Sequence, residues 1–220
     1  MKMPHLQREI EGLKKRILRL GAEVEEAVTM AIKALKEGDV NLAQKVIDYD
    51  VEIDRMEVET EEECLKILAL HQPVAIDLRF VVAVLKINND LERIADLAAN
   101  MAERAFRLGK GERVAIPDIL LAMVEKAESM QVRSLDALVN LNPDLARQVI
   151  EEDDVVDNLH RQMYNYVKDA ITEDVSDADA QINLLSISRQ VERIADSVTN
   201  IAEDIIYMVE GEIVRHQGKI

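Results

Sequence analysis

A single cysteine, Cys64, excludes an internal disulfide, and it reads as a small apolar core residue rather than a nucleophile. Tryptophan is absent and aromatic residues make up only 3% of the chain. Seven glycines and four prolines leave few turn signals in 220 residues. Long apolar runs are also missing: the longest, around residues 80–85 and 119–124, fall far short of the roughly 18 residues needed to cross a bilayer. The opening MKMPHLQREIEGL is charged throughout and has no apolar signal core, so the expected location is the cytoplasm, with no direct membrane insertion. Basic residues are outnumbered 43 to 27, for a net charge of −16. Nucleic acid is therefore not an expected partner, because backbone binding needs clustered Lys and Arg; cations or basic protein surfaces fit better.

What remains is a chain rich in Ala, Leu, Ile, Val, Glu and Lys, a composition that reads as all-α. Apolar residues recur at alternating spacings of three and four from Leu6 through Ile10, Leu13, Ile17, Leu20, Val24, Ala27, Ala31 and Ala34, predicting one long helix. Gly12 and Gly21 within it are expected to permit close helix contact. Gly38-Asp39 breaks the run, with Asp39 placed to cap a second helix carrying Leu42, Val46, Tyr49, Ile53, Met56 and Ile67. That helix ends near His71-Gln72-Pro73, and Pro73 is expected in the first turn of a third. The third helix has an apolar seam from Phe80 through Val84, Ile87, Leu91, Ile94, Ala98, Met101 and Ala105 to Leu108.

The plan then repeats. Pro117 opens a helix with Met123, Ala127, Met130, Ala137 and Leu141 on one side. Asn142-Pro143-Asp144 takes the place of Gly38-Asp39, and the following residues 145–150 match 42–47 in order and type. After a turn at 173–177, a last helix carries Ala180, Leu184, Ile187, Val191, Ile194, Val198, Ile201, Ile205 and Met208, the third helix's seam one hundred residues on. Two tandem three-helix bundles related by internal duplication follow, residues 1–111 and 112–220, with Gly109-Lys110-Gly111 as a plain linker.

Within the repeat lies a polar motif: Glu92-Arg93-Ile94-Ala95-Asp96 with Asn100 and Glu103, and again Glu192-Arg193-Ile194-Ala195-Asp196 with Asn200 and Glu203. The i, i+4, i+8, i+11 spacing stacks these oxygens on one helix face, opposite the seam. Asp54 and Glu92 stand equally far from the turn at 73, about 28 Å each, so they should meet at one height. Asp50 should likewise meet Asp96. In the second unit, Asp157 pairs with Glu192 and Asp153 with Asp196 about the turn near Asp174.

Four carboxylates at one level repel unless a cation balances them. Carboxylate and amide oxygens, without Cys or paired His, select hard ions: Mg²⁺, Mn²⁺, Ca²⁺ or iron, with room for a multinuclear cluster. The candidate metal ligands are thus Asp50, Asp54, Glu92, Asp96 and Asn100, and Asp153, Asp157, Glu192, Asp196 and Asn200. Asp157 and His160 have the i, i+3 spacing of half a di-iron site, but Glu or Met stands near the equivalent place in the first unit, so His160 reads as a polar surface histidine. No nucleophile motif, Ser-His-Asp set, phosphate loop or organic-cofactor motif is present, and the chain does not read as an enzyme.

The segment Leu70-His71-Gln72-Pro73-Val74-Ala75-Ile76-Asp77-Leu78-Arg79, followed by Leu91-Glu92-Arg93-Ile94-Ala95-Asp96 and Asn100, with the second copy and the closing Gly211 and Arg215-His216, resembles the PhoU family of phosphate-uptake regulators. The likeness spans nearly the whole chain. It implies a cytoplasmic regulator of two three-helix bundles, often a homodimer. Such a regulator acts with the ATPase subunit of the high-affinity phosphate transporter and a phosphate-sensing histidine kinase to restrain the phosphate-starvation response. It also implies metal clusters at the E/D-xxx-D pairs, here Asp50 with Asp54, Glu92 with Asp96, Asp153 with Asp157 and Glu192 with Asp196. The second unit has no counterpart of the Gln72-Pro73 and Asp77-Leu78-Arg79 junction. Two other readings stand beside the regulator: a carboxylate-bridged iron enzyme, and a structural bundle that pairs through its acidic face.

Overall fold

The computed structural model describes residues 4–111 and 114–214. The order is α1 (Pro4–Glu37), α2 (Val40–His71), α3 (Ala75–Lys110), α4 (Asp118–Asn140), α5 (Pro143–Glu151), α6 (Asp153–Glu173), a 3₁₀ turn at Val175–Asp177, and α7 (Ala178–Glu210). No strand occurs among the described residues. The expected boundary between units falls in the connection from α3 to α4, where residues 112 and 113 lie outside the described residues, as do Arg215 and His216.

The seams form the core as the spacing predicts. In α1, Leu13, Ile17, Leu20, Val24, Ala27, Ala31 and Ala34 are buried, and in α3 every seam residue from Val84 to Ala105 is. Asp39 caps α2, its carboxylate accepting from the backbone N–H groups of Asn41 (2.9 Å) and Leu42 (3.0 Å). Gly38 supplies the left-handed turn before it, at φ 66°. Asn142 caps α5 in the same way, through the N–H groups of Asp144 and Leu145.

In the first unit α1 and α2 run antiparallel, tied from end to end. His71 Nε2 meets Glu9 at 2.7 Å, Arg16 meets Glu59 at 3.6 Å, and the Tyr49 hydroxyl donates to Glu23 at 2.6 Å. Across the units α3 and α7 are also antiparallel: Lys86 Nζ lies 3.2 Å from Asp204 Oδ1 and 5.3 Å from the Tyr207 ring, and Asn200 Nδ2 donates to Asp90 Oδ1 at 3.3 Å. Helix α3 packs on α1, α2 and α7, while α7 packs on α3, α4, α5 and α6. These two helices are the shared spine.

Several local expectations are revised. Pro73 stands before α3 rather than in its first turn; the helix starts at Ala75 after an extended Val74. Leu141, expected on a core seam, ends α4 in a left-handed conformation and is 41% exposed. Of the two α1 glycines only Gly21 meets close packing: a Cβ there would sit 2.7 Å from Leu135 Cδ2 on α4, whereas nothing lies within 4 Å at Gly12.

The largest revision concerns the second unit's middle helix, expected to run unbroken like α2. It divides at Glu152, where the backbone tightens to i, i+3 hydrogen bonds, Glu152 N–H to Val149 O and Val155 N–H to Glu152 O. The Glu152 carboxylate is held by Lys126 Nζ at 2.9 Å and by the Arg133 guanidinium, both from α4. Tyr49 occupies the equivalent place in the unbroken α2.

Candidate metal centre

Asp50 and Asp54 follow one another by a turn on α2, and Asp96 reaches toward them from α3. An oxygen of each lies within 4.8 Å of the others. Asp50 Oδ1 is buried and accepts no hydrogen bond, so one strong acceptor is enclosed without a donor. None of the ion pairs among the described residues involves this trio or Glu92. Arg93, three residues before Asp96 on the same helix, is not within ion-pair distance of it.

The electrostatics reflect the uncompensated charge. Burial, then Asp54 and Asp96, push the Asp50 carboxyl up to about 6. Glu92 is raised by burial and by Asp96, Asp54, Glu57 and Asp50, and Asp96 by burial and Asp54. A raised carboxyl holds its proton more tightly in the folded chain than in the unfolded one. Between an ordinary pKa of 3.8 and about 6, the native state therefore binds more protons at Asp50, and stability falls as pH rises through that window. Chelator-treated protein at low salt is expected to melt at a higher temperature at pH 5.5 than at pH 7.5, and excess Mg²⁺ is expected to flatten the difference. A thermal profile that rises toward pH 7.5 without metal would contradict this balance.

The donor set fits a hard cation: three carboxylates converge, all donors are oxygen, and one is buried without a partner. Glu92 borders the trio without joining it at that distance. The Asn100 amide nitrogen donates to the Asp96 carbonyl of its own helix at 2.7 Å. The candidates of the second unit behave differently. Asp153, Asp157, Glu192 and Asp196 contribute no second trio at comparable separation among the described residues. The break at Glu152 separates Asp153, which starts α6, from the regular turn that α2 gives Asp50. Glu192 is raised by burial, Asp196 and Asp157, but Arg189 and Arg193 oppose the rise. Asn200 points across to Asp90 on α3.

Two positions escaped the sequence reading. Asn88, wholly buried, donates to Glu57 Oε1 at 2.7 Å and to the Glu57 carbonyl at 3.1 Å, and Glu57 feels both Glu61 and Asp54. Glu57 sits three residues after Asp54 and Asn88 four before Glu92, so continuing the helical stripe one turn would have found them. Their counterparts in the second unit are His160 and Ser188. His160 is half-buried rather than a surface group, with Nδ1 3.1 Å from Ser188 Oγ.

Comparison with known proteins accords with this duplicated architecture. The model of the PhoU domain matches twice, over residues 17–105 and 120–205. A phosphate-specific transport system accessory protein PhoU homolog from Aquifex aeolicus is 38% identical over 212 residues, covering 96% of each chain. Its counterpart from Pseudomonas aeruginosa is 36% identical, over 96% of this chain and 87% of that one. The crystal structure of PhoU from Pseudomonas aeruginosa superposes with a TM-score of 0.90 at 35% identity, covering 94% of this chain and 99% of that one. The phosphate transport system regulatory protein PhoU from Streptococcus pneumoniae superposes at 0.87 with 27% identity, covering 95% and 99%. With the family's domain present in both halves and relatives matched over most of their length, this chain belongs to the PhoU family.

Proposed function

We propose that the chain is a cytoplasmic, non-enzymatic regulator of phosphate uptake. It serves as a metal-binding adaptor between the ATPase subunit of a phosphate transporter and a phosphate-sensing histidine kinase, and restrains the phosphate-starvation response as a homodimer. Its relatives are named accessory or regulatory proteins of phosphate transport, which supports a regulator over an enzyme. No described helix is long and apolar enough to cross a membrane, so contact with a transporter would be made from outside the bilayer.

The observation that carries the metal part of this reading is the convergence of Asp50, Asp54 and Asp96 around a buried, partnerless oxygen. The ion is a hard divalent cation or iron, Mg²⁺, Mn²⁺ or Fe, and would neutralise the acidic face of α2 and α3. Pull-down of the transporter ATPase subunit and of the kinase with the purified chain, in Mg²⁺ and in EDTA, tests the adaptor. Retention of both partners is expected in Mg²⁺, with weaker capture in EDTA. Capture of neither in either buffer would end the adaptor reading.

A further inference from the structure

Helix α2 packs on α1 and α3 and on no other element among the described residues, which leaves one long face of it uncovered. Three large apolar residues stand on that face: Val51 is 73% exposed, Val58 49% and Leu65 53%. They recur at intervals of seven, so on a helix they fall within about 40° of one another and form a straight ridge about 21 Å long. Single apolar residues are ordinary on a surface, but a row in heptad register is the seam along which one helix pairs with another. The second unit shows that the ridge is no requirement of the fold. The offset that aligns Asp50 and Asp54 with Asp153 and Asp157 places Asp154, Arg161 and Lys168 at the same three positions, all of them exposed. The same helix face is charged in one copy and apolar in the other.

Charge along the ridge determines what can cover it. From Asp48 to Leu65, α2 carries nine carboxylates and one cation, Arg55, which Glu52 engages. Glu61 and Glu62 lie exposed between Val58 and Leu65 and belong to no ion pair among the described residues. A second copy of the chain would bring the same carboxylates face to face, and an anionic bilayer would repel them. We propose that the outer face of α2 is a docking surface for an amphipathic helix of a partner protein. Its apolar seam packs along Val51, Val58 and Leu65, and its flanking Lys or Arg side chains meet Glu61 and Glu62.

The ridge and its border have different tasks. Removing the three aliphatic side chains from water favours association but gives no direction. The carboxylates fix the register of the bound helix and reject an acidic one. All three apolar side chains already lie outside the core, so replacing them costs the fold little. The surface is distinct from the carboxylate trio, whose Asp50 faces Asp96 of α3. It extends the adaptor reading by giving the chemistry of the segment bound. Peptide binding retained alongside failed capture of the ATPase subunit and the kinase would sink that reading and leave this one standing.

Fluorescence anisotropy of the full chain with a labelled helical peptide of about three heptads, Leu at a and d and Lys at e and g, tests the assignment beside a scrambled peptide of equal composition. Wild type is expected to bind the heptad peptide more tightly than the scrambled one. The triple variant Val51→Ser, Val58→Ser, Leu65→Ser, which keeps the net charge, is expected to weaken binding by about tenfold or more, with circular dichroism unchanged. Val58→Arg alone, the residue type of the matching position in the second unit, is expected to weaken it in the same direction. Glu61→Gln with Glu62→Gln is expected to weaken it at low salt and to make no difference at high salt. Val139→Ser, at an exposed position on α4, is expected to leave it unchanged. Equal affinity in wild type and the triple variant, equal affinity for the scrambled peptide, or no binding by wild type would overturn the proposal. So would sedimentation equilibrium showing a wild-type dimer and a monomeric triple variant, which would make a second copy the occupant. Flotation of wild type but not the triple variant with phosphatidylglycerol vesicles would overturn it in favour of a membrane.

Discussion

Asp54→Asn is expected to abolish the stabilisation of the protein by Mg²⁺ or Mn²⁺ and, in the same variant, to raise the melting temperature of the ion-free chain. The two effects have one cause. Asp54 is the neighbour whose charge raises all four of Asp50, Glu57, Glu92 and Asp96. Removing that charge relieves repulsion when no ion is present and deletes a ligand when one is. At a hundredfold excess over its dissociation constant an ion adds about 2.7 kcal/mol of stability. For a chain of this size that corresponds to a rise of roughly 5–10 °C, measurable by differential scanning fluorimetry. The variant is expected to begin above wild type in EDTA and to gain almost nothing from metal. If wild type shows no rise with either ion, or the variant keeps the full rise, the trio is an ordinary solvated acidic face.

Leu91→Ala is expected to produce the largest loss of stability, about 2–5 kcal/mol, since a wholly buried leucine is lost and the packed helices around it relax only in part. Its position explains why the cost should sit in the upper part of that range. Leu91 belongs to α3, which is packed by α1, α2 and α7, so a void there cannot collapse toward solvent. Urea denaturation should show an earlier midpoint with an unchanged slope, and thermal unfolding a fall of about 4–20 °C. Leu91→Met, which keeps the volume, should cost less than about 1.5 kcal/mol. A loss below 1 kcal/mol for the alanine variant would show that α3 is not the shared core. Because Glu92 follows immediately, the same variant also reports whether the site depends on the rigidity of its helix.

Much of this was legible from local pattern. The seams from Leu13 to Ala34 and from Val84 to Ala105 are buried as their spacing predicts, because helical periodicity is a property of neighbouring residues. Asp39 and Asn142 cap helices where their side chains can reach the next free N–H groups. Equal distance from a turn brought Asp50 and Asp54 to the height of Asp96 for the same reason: rise per residue is constant as long as the helix is continuous.

The symmetric expectation for the second unit depended on a condition the sequence alone does not display. There the helix is interrupted at Glu152, whose carboxylate is held by Lys126 and Arg133 of α4, residues close to it only in the fold. Leu97 and Ala102 on α3, outside the predicted seam, are also buried, since α3 is packed by three helices, α1, α2 and α7, rather than along one seam. Asn200 likewise donates across the units to Asp90, a partner that only the packing of α7 on α3 brings near.

By itself, then, the sequence determined the helices, their apolar faces, the duplication and the acidic stripes, all set by interactions a few residues long. Tertiary structure alone decided that one stripe closes into a trio with the preceding helix while its copy, among the described residues, does not. Convergence of side chains from separate helices depends on the relative rotation and continuity of those helices, and contacts distant in the chain control both.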